Sequence, residues 1–201
     1  MRIEINPQHP EPRKIERAVA ALRSGGVIAY PTDTVYGIGC DMMQKKAIDR
    51  LYEIKRMPRD KPLAFICPDL GDIAKYAVVD NRQYRTMRHL LPGPYCFILE
   101  ATRDVPRILM MKRKQVGIRV PNNPVALAIV AALGNPIVSS TAEWEGELLN
   151  DPADIDIHYP GLELIVDAGY GGLTPSTVVD LTGGESTIIR EGAGEVDGVF
   201  R

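Results

Sequence analysis

Pro31-Thr-Asp-Thr-Val-Tyr-Gly-Ile-Gly39 is the stretch that decides the fold. It joins an apolar run over 26–30 to a second apolar run that ends at Cys40. Between the two runs, a loop opened by proline carries two hydroxyl groups, a carboxylate and a phenol. Polar groups placed where a buried strand ends are typical of ligand pockets. Basic residues cluster between Arg50 and Lys61, so we expect a pocket for a small polar molecule and an anionic partner.

Length and composition indicate one globular unit. The chain has 201 residues, of which 45% are hydrophobic and 25% charged, and we expect a single domain over 1–201 with a core over about 12–196. No apolar run reaches the roughly 18 residues that span a membrane, and residues 1–6 lack the apolar segment of a signal peptide. Cys40, Cys67 and Cys96 lie far apart without metal-ligand spacing, which predicts buried free thiols and a cytoplasmic protein. The oligomeric state is left open.

The charge is unevenly distributed along the chain. Residues 1–119 hold 22 basic and 13 acidic residues, a net charge of +9, whereas the remainder holds 2 basic and 13 acidic residues, a net charge of −11. This asymmetry predicts a basic face for phosphate or nucleic acid. The alternative is two solvated surfaces that attract each other in the folded protein.

Helical and strand patterns alternate, which predicts an α/β or α+β fold with a mixed sheet. The first predicted helix follows Pro12, carries Ile15, Val19 and Leu22 on one face and is closed by Gly25-Gly26. The other predicted helices are 44–56, 69–76, 81–91 with Asp80 as its cap, and 123–133, which stops at Gly134. The predicted strands are 27–30, 63–67, 95–100, 116–120, 136–139, 162–166, 176–180 and 187–190.

Common signatures of nucleotide and metal sites are missing from the sequence. There is no Gly-x-x-x-x-Gly-Lys-Ser/Thr, and Gly37-Ile-Gly39 lacks the third glycine of a dinucleotide-binding loop. His9, His89 and His158 are isolated, so neither a metal cluster nor a catalytic triad is indicated. Phosphate chemistry would therefore depend on cationic side chains and backbone amides.

Two segments place cations where an anion could meet them. Four basic residues bracket Pro58 in the segment 55–63, which suits a polyanion, although a solvated helix terminus gives the same pattern. Arg119 stands inside the otherwise apolar strand 116–120, and a buried guanidinium requires an anion or several acceptors. A substrate carboxylate or Asp33 would meet this requirement.

Two further segments place polar side chains at strand ends. The segment 138–146 carries hydroxyl groups at the end of a strand and predicts either a ligand site or a plain turn. The segment 175–180 precedes the strand that ends at Arg190, which is the only basic residue between Arg119 and the chain terminus. That isolation favours a specific anion contact for Arg190.

Taken together, six ordered segments resemble the YrdC-like family, whose best-known activity is threonylcarbamoyl-AMP synthesis. They are 31–39, 55–63, 91–99, 116–121, 138–146 and 176–194, and they cover nearly the whole chain. The resemblance implies an α/β (α+β-like) fold, in which a single twisted mixed-sheet domain with flanking helices presents a basic concave surface that accommodates RNA.

The resemblance also implies a reaction and its participants. L-threonine, bicarbonate and ATP are joined into threonylcarbamoyl-AMP with release of pyrophosphate, and the product supplies the t6A modification of adenosine 37 in tRNA. ATP enters as a substrate with Mg2+, while no tightly bound cofactor and no metal held by protein ligands are expected.

Site residues follow from the same resemblance. On the threonine side it places Thr32, Arg119, Thr141 and Ser176. Along the nucleotide it places Lys55, Arg59, Glu143 and Arg190, and Lys55 and Arg190 are the expected catalytic residues through their contacts with phosphate.

Two departures from the family pattern bring the chain closest to the YciO branch. The Lys-x-Arg motif reads Lys55-Arg56-Met57, and on a helix Arg56 would point roughly 100° away from position 57. The Ser-x-Asn motif reads Thr141-Ala142-Glu143, which adds a negative charge. Two like charges at ~4 Å repel by about 1 kcal/mol in water and about 4 kcal/mol at an effective dielectric of about 20, enough to weaken ATP binding by about one to three orders of magnitude. Met57→Arg and Glu143→Asn should therefore raise activity.

Two alternative functions remain open. The first is an RNA-binding module without synthase activity, which would use the surface cations Arg82, Arg85, Arg88, Lys112, Arg113 and Lys114 for tRNA or double-stranded RNA. The second is hydrolysis of a related adenylate with Glu143 as general base.

Overall fold

The computed structural model describes residues 1–110 and 114–200. The helices are α1 Pro12–Arg23, α2 Lys45–Ile54, α3 Leu70–Tyr76, α4 Asn81–Leu90, α5 Pro124–Leu133 and α6 Pro152–His158. The strands are β1 Arg2–Glu4, β2 Ile28–Tyr30, β3 Gly37–Asp41, β4 Ala64–Ile66, β5 Ala77–Val78, β6 Tyr95–Ala101, β7 Gln115–Arg119, β8 Ile137–Thr141, β9 Glu143–Trp144, β10 Glu147–Leu148, β11 Leu164–Asp167, β12 Thr177–Asp180 and β13 Thr187–Arg190.

Eleven strands form one mixed sheet, which confirms the predicted fold class. Its order is β1-β11-β2-β3-β8-β4-β7-β6-β12-β13, with β5 paired to β6. The sheet contains both parallel pairs, such as β4 with β7, and antiparallel pairs, such as β3 with β8. The late strands β8, β11 and β12 lie between or beside early strands, so the basic and acidic parts of the sequence are interleaved in one sheet.

The two faces of the central sheet carry residues of different size. On one face, Phe65 and Ile118 belong to the larger hydrophobic cluster. At the neighbouring positions of the same strands, Ala64 and Gly117 face a cavity. Because successive side chains of a strand point to opposite faces, the alternation of large and small residues opens a depression on one side only.

Helices cover both faces. Residues of α1 and α5 form the smaller hydrophobic cluster together with Tyr30 and Ile66, which also line the cavity. The cavity therefore lies on the same face of the sheet as α1 and α5. Helices α2, α3 and α6 contribute Leu51, Ile73 and Ile155 to the larger cluster on the opposite face.

Local sequence signals account for the element boundaries. Asp80 forms a capping box with Gln83, and Asn123 accepts hydrogen bonds from two backbone N–H groups at the start of α5. Gly134 ends α5 in the left-handed conformation at φ 81°. The three cysteines are buried and free, as predicted.

No helix within residues 1–110 and 114–200 is long and apolar enough to cross a membrane.

Candidate functional site

A cavity of about 340 Å³ opens over the centre of the sheet. Strands β4, β6, β7, β8, β12 and β13 and the loop before β3 all contribute to its wall. Seven of the eight site residues inferred from the sequence lie in this wall: Thr32, Lys55, Arg119, Thr141, Glu143, Ser176 and Arg190. The cavity therefore brings together residues from segments that are distant in sequence.

The loop 31–36 is held in place by its own hydroxyl groups. Thr32 Oγ1 donates to the carbonyl of Val35 at 2.7 Å and accepts from the N–H of Thr34 at 3.1 Å. A Cβ at Gly37 would lie 2.8 Å from the ring of Tyr30, so this position requires glycine. Thr32 thus shapes the loop as well as lining the cavity.

Arg119 is the most buried cation of the site, with 8% of the residue exposed. Its Nη2 donates to Asp33 Oδ1 at 2.9 Å and to Thr34 Oγ1 at 3.1 Å. The other oxygen of Asp33 accepts from the N–H of Asn122 at 3.0 Å, which fixes the carboxylate. Within the described residues, Arg119 Nε is buried and has no hydrogen-bond partner. Asp33 therefore meets part of the guanidinium, and one buried N–H group of Arg119 is left without an acceptor.

A buried tyrosine and serine form one wall of the cavity. Tyr30 donates its hydroxyl proton to Ser139 Oγ at 2.6 Å, and burial raises the pKa of Tyr30 to about 12. Tyr30 is consequently neutral at physiological pH and acts as a donor. Neither residue was among those inferred from the sequence, although both stand at the ends of predicted strands.

Lys55 connects three separate segments through its ammonium group. Its Nζ donates to the carbonyls of Thr141 at 2.7 Å and Glu143 at 2.9 Å, and to the hydroxyl of Tyr159 at 2.8 Å. Burial lowers the pKa of Lys55 to about 8, and the nearby Glu143 carboxylate partly offsets this effect. Lys55 therefore holds the turn after β8 and the end of α6 against the end of α2.

The end of α2 differs from the helical geometry expected for Arg56 and Met57. The helix stops at Ile54, and Arg56 adopts the left-handed conformation at φ 48°. The N–H groups of Arg56 and Met57 bond back to the carbonyls of Glu53 at 3.0 Å and Tyr52 at 3.1 Å, which is the Schellman pattern. The 100° helical offset is therefore wrong, because both residues lie beyond the helix.

This turn also determines which cations reach the cavity. Arg56 stacks on the ring of Trp144 with its guanidinium carbon 4.9 Å from the ring centroid, and Met57 packs against the larger hydrophobic cluster. Arg59 does not line the cavity and forms an ion pair with Asp49. Lys61, which the family resemblance did not place in the site, does line the cavity.

Ser176 and Arg190 form another part of the cavity wall. Arg190 donates to the carbonyl of Ser176 from Nε at 3.2 Å and from Nη2 at 2.7 Å. Ser176 is buried, and its hydroxyl lies 3.4 Å from the same Nη2. The guanidinium of Arg190 is thus oriented by the backbone at the start of β12.

The hydroxyl-rich segment 138–146 forms strand β8 and then a short hairpin. Strands β9 and β10 pair through the two-residue turn Glu145-Gly146, where φ is 50° and 90°. Two successive positive φ angles are typical of a type I′ turn. Glu143, at the base of this hairpin, lines the cavity.

Four of the six cations proposed for RNA lie in the described residues, and none of these four lines the cavity. Arg82, Arg85 and Arg88 are exposed on α4, and Lys114 is exposed before β7. Lys112 and Arg113 fall outside the described residues. RNA binding stays a prediction. Within residues 1–110 and 114–200, no three His, Cys, Asp or Glu side chains are grouped so as to hold a metal ion.

Titration of Lys55 is expected to be visible in the stability of the protein. Its pKa is lowered from 10.5 to about 8 on folding, so the unfolded chain binds more protons between these values. The stability contributed by Lys55 therefore rises with pH across this window. The free energy of unfolding of the wild type and of Lys55→Met should be measured with urea at about pH 7.5 and about pH 9.5. The wild-type value minus the variant value should be larger at the higher pH. A difference that does not change with pH contradicts this assignment.

The fold and the cavity together define a mixed α/β protein with a pocket whose wall carries hydroxyl groups and cations. The sequence profile of the Sua5/YciO/YrdC family, which is described as telomere recombination, matches residues 20–192. The chain belongs to this family, and the resemblance inferred from its motifs is confirmed.

Relatives of known structure or activity agree with this placement. The chain is 41% identical to YciO of Escherichia coli (strain K12) over 196 residues, covering 96% of this chain and 95% of that protein. The crystal structure of E. coli YciO matches with a TM-score of 0.95 at 40% identity, covering 100% of this chain and 99% of that one. A threonylcarbamoyl-AMP synthase of Xanthomonas axonopodis pv. citri (strain 306) is 34% identical over 187 residues, covering 88% of this chain and 97% of that protein.

The crystal structure of P. abyssi Sua5 complexed with L-threonine matches with a TM-score of 0.89 at 27% identity, covering 96% of this chain and 57% of that one. The family thus includes threonylcarbamoyl-AMP synthases.

Proposed function

We propose that this protein is a nucleotidyltransferase that makes L-threonylcarbamoyl-AMP from L-threonine, bicarbonate and ATP, with release of pyrophosphate. The observation that carries the proposal is Arg119, a buried cation on the cavity wall whose Nε has no acceptor among the described residues. A carboxylate suits a guanidinium donor well, because a hydrogen bond between two ionised groups is stronger than a neutral one. The proposed ligand at this position is the carboxylate of threonine.

The reaction proceeds in two balanced steps. The threonine amine and bicarbonate first combine into a carbamate with loss of water. A carbamate oxygen then attacks the α-phosphorus of ATP, and pyrophosphate leaves with the electrons of the broken phosphorus–oxygen bond. Arg119 and Ser176 hold the amino acid, and Lys61 and Arg190 face the phosphate group. The main contribution of the protein is the alignment of the two reactants. The product would supply t6A synthesis on tRNA.

The synthase assay tests this proposal directly. Purified protein with ATP, L-threonine and bicarbonate should release pyrophosphate and form the adenylate, and omission of threonine should stop both. If neither pyrophosphate nor adenylate forms in the complete mixture, the proposed reaction is excluded.

Glu143→Asn is expected to raise the rate of adenylate formation about tenfold, because it removes a negative charge from the nucleotide side of the cavity. Glu145→Asn is the matched control. It makes the same change two residues away in the hairpin turn, where asparagine tolerates a positive φ. Equal rates for both variants would contradict the electrostatic explanation. Met57→Arg is no longer expected to help, since Met57 packs against the hydrophobic cluster.

A further inference from the structure

The cations on the nucleotide side of the cavity have few donors left for a ligand. Lys55 has three N–H groups, and three acceptors take them: the carbonyls of Thr141 and Glu143 and the hydroxyl of Tyr159. Lys55 therefore supports the wall but offers no free donor to a phosphate.

Arg190 also uses part of its N–H donors within the protein. Its Nε and Nη2 both donate to the carbonyl of Ser176. Nη1 has no partner among the described residues, so one side of the guanidinium is available. This is enough to bond one or two phosphate oxygens.

The other cations of the segment 55–63 differ in whether they line the cavity. Arg56 stacks on Trp144, and Arg59 is paired with Asp49, so neither contributes to the cavity. Lys61 lines the cavity, and its ammonium has no hydrogen-bond or ion-pair partner in residues 1–110 and 114–200. The free donors thus belong to Lys61 and to Nη1 of Arg190.

Glu143 adds the opposite charge to the same region. Glu143 is one of the residues that line the cavity, and its carboxylate lies close enough to Lys55 to raise the pKa of that group. Each additional phosphate group of a ligand brings more negative charge toward this carboxylate. Two sets of free donors can bind a single phosphate group, whereas three phosphate groups would bring more negative charge near the Glu143 carboxylate than these donors can balance.

We infer that the cavity selects an adenylate with one phosphate over ATP, so the protein holds the product of the proposed reaction more tightly than its nucleotide substrate. The inference rests on the proposed function for the identity of that product. Pyrophosphate leaves readily from such a site because few donors retain it, whereas the adenylate stays bound through its single phosphate and, at Arg119, its carboxylate.

Isothermal titration of AMP and ATP, each without threonine and bicarbonate, tests the inference. AMP should bind at least about tenfold more tightly than ATP, both in EDTA and with Mg2+. Glu143→Asn should bring the ratio of the two dissociation constants toward one, and Glu145→Asn should leave it unchanged. Circular dichroism and urea unfolding confirm that each variant is folded.

The outcomes separate this inference from the proposed function. If ATP binds as tightly as AMP or more tightly, or if AMP does not bind, the inference is overturned even when the protein forms the adenylate. If AMP binds more tightly but the complete synthase mixture yields no adenylate, the selectivity stands and the proposed reaction fails.

Discussion

Replacing Arg119 with lysine is expected to weaken L-threonine binding about a hundredfold and to lower adenylate formation at least as much. Lysine keeps the positive charge and can still meet Asp33, but it lacks the Nε donor that has no partner in the described residues. Charge-assisted hydrogen bonds contribute about 1.5–3 kcal/mol each, and 2.7 kcal/mol corresponds to roughly a hundredfold change.

The measurements are the dissociation constant of L-threonine by calorimetry and the rate of pyrophosphate release. Arg13→Lys is the matched control, because Arg13 is exposed on α1 and lies outside the cavity. A lower rate without any change in threonine affinity would show that Arg119 does not contact the threonine carboxylate. Equal threonine binding in all three proteins would refute its role.

Asp33→Ala is expected to lower the free energy of unfolding by about 3–5 kcal/mol. The side chains of Arg119 and Asp33 are only 10% and 9% exposed, so the substitution leaves a buried cation without its main partner. It also removes the acceptor for the N–H of Asn122. Both losses act on the loop that forms one wall of the cavity.

Urea unfolding of three variants checks this prediction. Asp49→Ala breaks a more exposed ion pair with Arg59 and should cost less than about 1 kcal/mol. The double variant Asp33→Ala/Arg119→Met should recover part of the loss, because the unpaired charge is removed together with its partner. If Asp33→Ala is no more destabilising than Asp49→Ala, the ion pair does not stabilise the fold as described.

Much of the fold was predictable because short sequence patterns mark the ends of its helices. The cap at Asp80 and the glycine at Gly134 act within one helical turn, so short-range patterns reveal them. The strand β1 was missed because it is stabilised by pairing with β11, more than 150 residues away in sequence. The hairpin at Glu145 was missed because its turn uses glutamate where asparagine or aspartate is usual.

The part of the candidate site that could be predicted from the sequence is the part where a charged residue stands in a buried strand. The position of Arg119 in an apolar strand predicted that its guanidinium meets a ligand anion or Asp33. In the structure Asp33 is a partner of Nη2, and Nε has no acceptor in the described residues. The choice between Arg59 and Lys61 depended on the direction of the chain after α2. The left-handed turn at Arg56 sets that direction, and nothing in the sequence marks a positive φ at an arginine.

The interleaved strand order has a consequence for the protein during its synthesis. Strand β11 lies between β1 and β2, and β8 lies between β3 and β4. A nascent chain that has reached residue 119 therefore exposes strands whose neighbours have not been translated. The sheet can close only after β11 to β13 leave the ribosome, and until then its unpaired strands are open to chaperones and to aggregation. Because β12 and β13 also carry part of the cavity wall, a ligand cannot help this chain to fold until these two strands have been translated.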